Sequence, residues 1–215
     1  DEPRIQGVSF VGSSPVARYI YSRASANGKR VQAQGGAKNT LVVLPDAVPM
    51  VNGAVTNILG SCFGAAGQRC LAGSILLTVG DVHGAVMDTL VTATRALSVG
   101  DGADPSVDVG PVVSAASRDR IMGNIDAGAA SGATLLVDGR KPHLAAANTG
   151  GFFVGPMLFD RVSPDNALSQ TEIFGPVLAV DNVPTLDAAI DRINSGSFGN
   201  AASLYTGSGK AAREF

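Results

Sequence analysis

The chain is short of the residues that cross-link, ligate or carry strong charge. Of its 215 residues only two are cysteines and two are histidines. Two cysteines in a chain this long do not make a disulfide framework, and they point to a reducing, cytoplasmic setting. His83 and His143 have no ligand spacing to each other or to the cysteines, so no metal is expected. The formal net charge is −2, which leaves no electrostatic footprint for nucleic acid or an anionic membrane. Apolar runs such as SILLTV at 74–79 are too short to span a bilayer, so no membrane partner is expected. The opening residues, Asp1 to Arg4, do not read as a signal peptide. Internal repeats and low-complexity tracts are missing too.

What is abundant is apolar and small. Hydrophobic residues make up 45% of the chain and glycine contributes 27 positions, enough for a substantial core in one large domain or two small ones. Strand and helix signals alternate, the pattern of an α/β fold with an open, largely parallel twisted sheet flanked by helices. Strands are expected at 8–11, 31–33, 40–44, 75–79, 134–137, 152–159, 177–183 and 202–205. Helices are expected from Pro15 to about 27, then from 51 onward, and over 83–97, 114–130 and 186–193. Val51, Val55, Ile58 and Leu59 recur at helical spacing, and Asp46 is placed to cap that helix. Residues 141–151 read as a polar, loop-like insertion. Both ends read as cut, because a strand signal starts by Arg4 with no lead-in and 210–215 stops inside a helical pattern. A piece of a longer polypeptide is therefore expected.

One stretch, FGAAGQRC at 63–70, sets a cysteine beside an arginine in a run of small residues. A thiol attacks as thiolate, and a neighbouring guanidinium favours that form. The small residues leave room for a substrate carbon and let backbone N–H groups turn toward it. Cys70 is thus the candidate nucleophile for covalent chemistry on a carbonyl. Cys62 reads as a small buried apolar residue on the preceding helix. FVGSS at 10–14 opens a helix directly after a strand, where N–H groups and the helix dipole can hold a phosphate. Gly12 and Ser13 are the candidates there, set against a plain strand-to-helix turn. Gly35 and Gly36 permit close backbone approach, or simply make a domain-linking turn. Glu172 is placed to accept hydrogen bonds from a ribose with Phe174 as an apolar wall, or is a solvated loop acid. On these residues alone, a non-catalytic module using its thiol for binding or redox sensing stays open.

Taken together and in this order, these segments resemble the aldehyde dehydrogenase family, over essentially the whole chain. The resemblance implies that FVGSSPV at 10–16 is that family's coenzyme-domain turn and Gly35-Gly36 the crossing into its catalytic domain. It implies that GQRC at 67–70 is the nucleophile loop and that EIFGP at 172–176 touches the nicotinamide ribose. GFFVGP at 151–156 is also similar to a family segment. On this reading residues 1–34 are the end of a Rossmann-like coenzyme-binding domain, and 35–215 are a catalytic domain cut at its C-terminal end. NAD is the implied cofactor, with Gly12 and Ser13 at the pyrophosphate, Glu172 at the ribose and Phe174 near the nicotinamide. The implied partner is a small aldehyde, in a full-length protein that forms a dimer or tetramer.

One departure sharpens the resemblance. Many members carry a glutamate two residues before the glycine pair as general base for water, and here that position is Ala33. Without that carboxylate, thioester hydrolysis is expected to be slow. A thiol acceptor needs less help, since it ionises near neutral pH. AKN at 37–39 and an arginine immediately before the cysteine are similar to methylmalonate-semialdehyde dehydrogenases, which use coenzyme A as co-substrate. That resemblance implies that Arg69 clamps the substrate carboxylate, a task suited to its bidentate geometry. It also implies malonate or methylmalonate semialdehyde as substrate and acetyl- or propionyl-CoA as product. A hydrolytic aldehyde dehydrogenase of other specificity is the alternative. The chain by itself is expected to be inactive and to bind NAD poorly, because the oxyanion partner and much of the coenzyme pocket are expected outside it.

Overall fold

A computed structural model describes residues 1–215, the side chain of Ala147 aside. It divides into two compact units, Asp1–Ala37 and Lys38–Phe215. The expected division after residue 34 falls at the end of a strand, and the first unit also takes in Gly35, Gly36 and Ala37.

The first unit is strand, helix, strand: β1 (Gly7–Val11), α1 (Ser14–Ala26) and β2 (Arg30–Gln34). The two strands pair in parallel, with Gly7 opposite Arg30 and Val11 opposite Gln34. Exposed and half-buried residues alternate along both, as when one face of a pleated ribbon is covered. A proline in the first turn of α1 presets the backbone angle that the helix needs.

The second unit is built on β3 (Asn39–Val43), α2 (Val51–Phe63), β4 (Gly73–Val79), α3 (His83–Arg95) and α4 (Ala115–Ala130). It continues through β5 (Thr134–Val137), β6 (Met157–Asp160), α5 (Ala167–Gln170), β7 (Val177–Val183), α6 (Leu186–Asn194), β8 (Ala202–Tyr205) and α7 (Gly209–Glu214). The strands form one sheet in the order β5-β6-β7-β4-β3-β8, in which only the β5–β6 pair is antiparallel. β3 is buried along its whole length, because helices cover both faces of a parallel sheet. On one face Leu41, Leu76 and Leu178 share a core with Ile58 of α2, Leu90 of α3 and Ile121 of α4. On the other, Val42, Leu77 and Val79 pack with Ala189 and Ile193 of α6 and Ala211 of α7. Among the described residues no helix is long and apolar enough to cross a membrane.

Two local expectations are corrected. The strand expected over 152–159 is only β6, Met157–Asp160. Pro156 has no N–H for a ladder, and Gly155 donates instead to the Gly139 carbonyl at 2.8 Å. Asp46 does not cap α2, which starts at Val51 with no side-chain cap. The tight helical turn Pro45–Met50 runs straight into α2 and supplies the first carbonyls, so no cap is needed there. The Asp46 carboxylate instead accepts from the Thr206 hydroxyl at 2.8 Å and the Gly207 N–H at 2.9 Å. It thereby ties the turn after β8 to the turn after β3.

Candidate active site

Helix α2 delivers the candidate nucleophile. Its buried residues Val55, Ile58, Cys62 and Phe63 anchor it in the core. Beyond Phe63 the backbone reverses through three left-handed residues, Ala65 at φ 51°, Ala66 at φ 52° and Gly67 at φ 67°. For a residue with a Cβ that region costs about 1–2 kcal/mol, and a run of alanine and glycine keeps the crowding least. The chain then closes a turn in which the Ala72 N–H donates to the Arg69 carbonyl at 3.0 Å. Cys70 stands at the crown of this turn, exposed and with a free thiol.

Two asparagines hold that turn. The Cys70 carbonyl accepts from Asn39 Nδ2 at 2.8 Å and from Asn200 Nδ2 at 2.9 Å. Asn39 is buried at the start of β3; its Nδ2 also donates to the Ala72 carbonyl at 2.9 Å and its Oδ1 accepts from the Ala201 N–H at 3.1 Å. A carbonyl satisfied twice keeps its peptide plane, so it does not swing toward an incoming substrate. Gln68 adds a tether, its Oε1 accepting the Val113 N–H at 3.0 Å. Asn39→Ala leaves buried partners unsatisfied and is expected to cost about 2–3 kcal/mol in urea unfolding. It is also expected to lower the activity of the full-length protein. An unchanged unfolding midpoint together with an unchanged rate refutes the role.

The arginine beside Cys70 faces another way than its sequence position suggests. Arg69 Nη2 donates to the carbonyls of Gly60 and Ser61, the latter at 2.9 Å. It covers carbonyls in the last turn of α2, a place where cations are favoured. The side chain lies over Gly64, where an added Cβ would stand 2.8 Å from Nη2. Nε and Nη1 of Arg69 have no hydrogen bond among the described residues. Cys62 is buried, and burial pushes its thiol up against the weaker pull of the Arg69 charge, which makes it inert. Iodoacetamide is therefore expected to alkylate Cys70 in the native protein and to spare Cys62. Peptide mass spectrometry that finds both modified at similar rates contradicts this assignment.

The second site element is the loop before β7. Ile173 is buried, Phe174 is exposed with φ 51°, and Glu172 is half-buried. The nucleophile turn meets this loop backbone to backbone: a Cβ on Gly67 would lie 2.2 Å from the Gly175 carbonyl oxygen. The structure thus brings the Cys70 and Glu172 loops together. Sequence reading missed Lys38, an electrostatic neighbour of Glu172. Burial lowers its ammonium to about 7, opposed by the Glu172 charge.

The remaining candidates lie in the first unit. Ser13 is the N-cap of α1 and makes no side-chain cap bond, and the first turn carries no acidic residue. The Gly36 N–H donates to Ser14 Oγ at 2.9 Å, and a Cβ on Gly35 would come within 2.8 Å of that oxygen. The glycine pair thus closes on the start of α1. Gly12 gives room to the Phe10 ring, which a Cβ there would approach to 2.5 Å. A free hydroxyl, the N–H groups of a first helical turn and no opposing carboxylate fit a phosphate. Among the described residues no cluster of histidine, cysteine, aspartate and glutamate could hold a metal ion.

Comparison with known proteins bears on the site. The family model described as "Aldehyde dehydrogenase family" matches residues 1–215. A malonate-semialdehyde dehydrogenase of Pseudomonas aeruginosa is 45% identical over 214 residues, 99% of this chain and 42% of that protein. The crystal structure of a methylmalonate-semialdehyde dehydrogenase from Oceanimonas doudoroffii superposes with a TM-score of 0.95 at 45% identity, covering 100% of this chain and 43% of that one. A Sinorhizobium meliloti protein assigned the same activity and solved with NAD gives a TM-score of 0.95 at 42% identity, covering 99% of this chain and 43% of that one. The chain thus spans less than half the length of the relatives it matches.

Proposed function

Because the chain belongs to the aldehyde dehydrogenase family, we propose that the full-length protein oxidises malonate or methylmalonate semialdehyde with NAD and transfers the acyl group to coenzyme A. The observation that carries this reading is the exposed Cys70, the only one of two free thiols that a substrate can reach. Its thiolate attacks the aldehyde carbon, and its own N–H faces the oxyanion that forms. Arg69 receives the substrate carboxylate through Nε and Nη1. NAD, when bound, accepts the hydride that leaves the cysteine-bound carbon. Gly12 and Ser13 hold its pyrophosphate, Glu172 its nicotinamide ribose, and Phe174 packs near the nicotinamide ring. Cys70 then carries an acyl thioester. Loss of carbon dioxide and attack by the coenzyme A thiol release acetyl- or propionyl-CoA and return the thiolate. The same reading makes the assembled enzyme a cytoplasmic homodimer or homotetramer.

Ala33 supports the choice of acceptor, since a methyl group cannot take a proton from water. General base catalysis contributes about 10²–10⁴-fold. Acid release by the full-length protein without coenzyme A is therefore expected to run at least ~10²-fold slower than acyl-CoA formation with it. Product analysis under both conditions decides, and rapid acid release without coenzyme A establishes the hydrolytic alternative.

A further inference from the structure

The sheet carries a cavity of about 350 Å³ on its α6 side at the entry ends of β3, β4 and β8. That volume is within the range of small-ligand sites. Two of its lining side chains are charged, Lys38 and Arg192, and both are cationic; no carboxylate lines it. The remaining polar lining includes Ser169, Gln170 and Asn200.

Lys38 keeps part of its stem at the surface, but its Nζ is closed off from solvent and makes no hydrogen bond. A buried cationic group without a partner is costly, and such groups are normally paired or neutralised. Arg192 is partly satisfied. Its Nη2 donates to the Val162 carbonyl at 3.3 Å and to Ser169 Oγ at 3.1 Å, and its nearest carboxylate, Asp181, stands 3.9 Å from Nη1. Burial lowers both cations below their ordinary values, opposed at Lys38 by Glu172 and at Arg192 by Asp181 and Asp165. An anion that meets both would offset the desolvation of both, and guanidinium and ammonium together suit an oxyanion.

We propose that this cavity binds a compact oxyanion, a carboxylate or a phosphate, at Arg192, toward which the Lys38 ammonium turns out of its enclosed position. One of its wall residues, Asn200, also holds the Cys70 carbonyl, and Lys38 is an electrostatic neighbour of Glu172. Occupancy restores the ammonium of Lys38. Binding between about pH 7 and the ordinary lysine value of 10.5 therefore takes up a proton.

Calorimetric titration of the full chain at pH 8, in two buffers of different ionisation heat, tests this with inorganic phosphate and malonate as separate arms. The expected result is one site with uptake of close to one proton. The tighter arm identifies whether a phosphate or a carboxylate is the natural group. Lys38→Met is expected to weaken that binding by at least ~10-fold and to abolish the proton uptake. Lys38→Arg is expected to keep the binding without the uptake. Binding of neither probe overturns the proposal, as does equal affinity in Lys38→Met. Binding by the unmodified chain with no proton uptake also overturns it, whatever the fate of the variants.

Discussion

In the full-length protein, Cys70→Ala is expected to lower NADH formation by at least ~10⁴-fold while leaving the fold intact. Removing a covalent nucleophile eliminates a route rather than weakening one, and residual turnover then rests on binding and positioning alone. The side chain of Cys70 is exposed and belongs to neither hydrophobic cluster. Its loss therefore should move the unfolding free energy by no more than about 0.5 kcal/mol. Cys62→Ala is the matched control, because it removes the other thiol from a site 1% exposed in the main core. That change should cost about 1 kcal/mol of stability and leave turnover within a few-fold. The opposite pattern, with turnover lost through Cys62 and retained without Cys70, excludes Cys70 as nucleophile.

Gly67→Ala is expected to damage both stability and turnover. Its φ of +67° is a conformation that side chains resist, and its missing Cβ is where the Gly175 carbonyl sits. The new methyl would stand 2.2 Å from that oxygen and 3.0 Å from the Cys62 carbonyl oxygen. Both obstacles are backbone, so no rotamer change relieves them. Either the nucleophile turn or the Glu172 loop must shift, and displacements near 1 Å at a reacting centre commonly cost about 10²-fold. We expect kcat/KM to fall by at least that factor, with about 2–4 kcal/mol lost in urea unfolding. Gly53→Ala supplies the contrast. Gly53 lies within α2 with nothing within 4 Å of its added Cβ, and alanine there should stabilise by about 0.5–1 kcal/mol. A Gly67→Ala protein that matches the parent in both measurements shows that the two loops do not depend on this contact.

The fold was legible where burial writes a local pattern. β3 and β4 are short apolar runs, and α2 repeats its apolar residues at helical spacing, so each declared itself within a few residues. Cys70 stood out as a candidate because the small residues and the arginine that precede it are both local. What could not be read depends on distance along the chain. Asn39 meets Cys70 across 31 residues and Ala201 across 162, and no window of sequence contains those pairs. Asp46 has a favoured capping residue type at a suitable spacing, but its partners, Thr206 and Gly207, come from the far end. Arg69 was read from its neighbour in sequence, whereas its contacts are the carbonyls of the previous helical turn. Lys38 carries no local signal of burial, since only the folded sheet encloses its Nζ.

The position of β3 in the sheet also sets an order of events during synthesis. β3 is the first strand of the larger unit to leave the ribosome, yet it lies between β4 and the much later β8. Thr40 cannot pair with Ala202 until the latter has been made. At ordinary translation rates the apolar edge of β3 therefore waits on the order of 10–30 s, open to any strand that passes. Asn200 and Ala201 arrive in the same late stretch of chain. The turn that carries Cys70 thus gains its second asparagine tether only once Asn200 has been made.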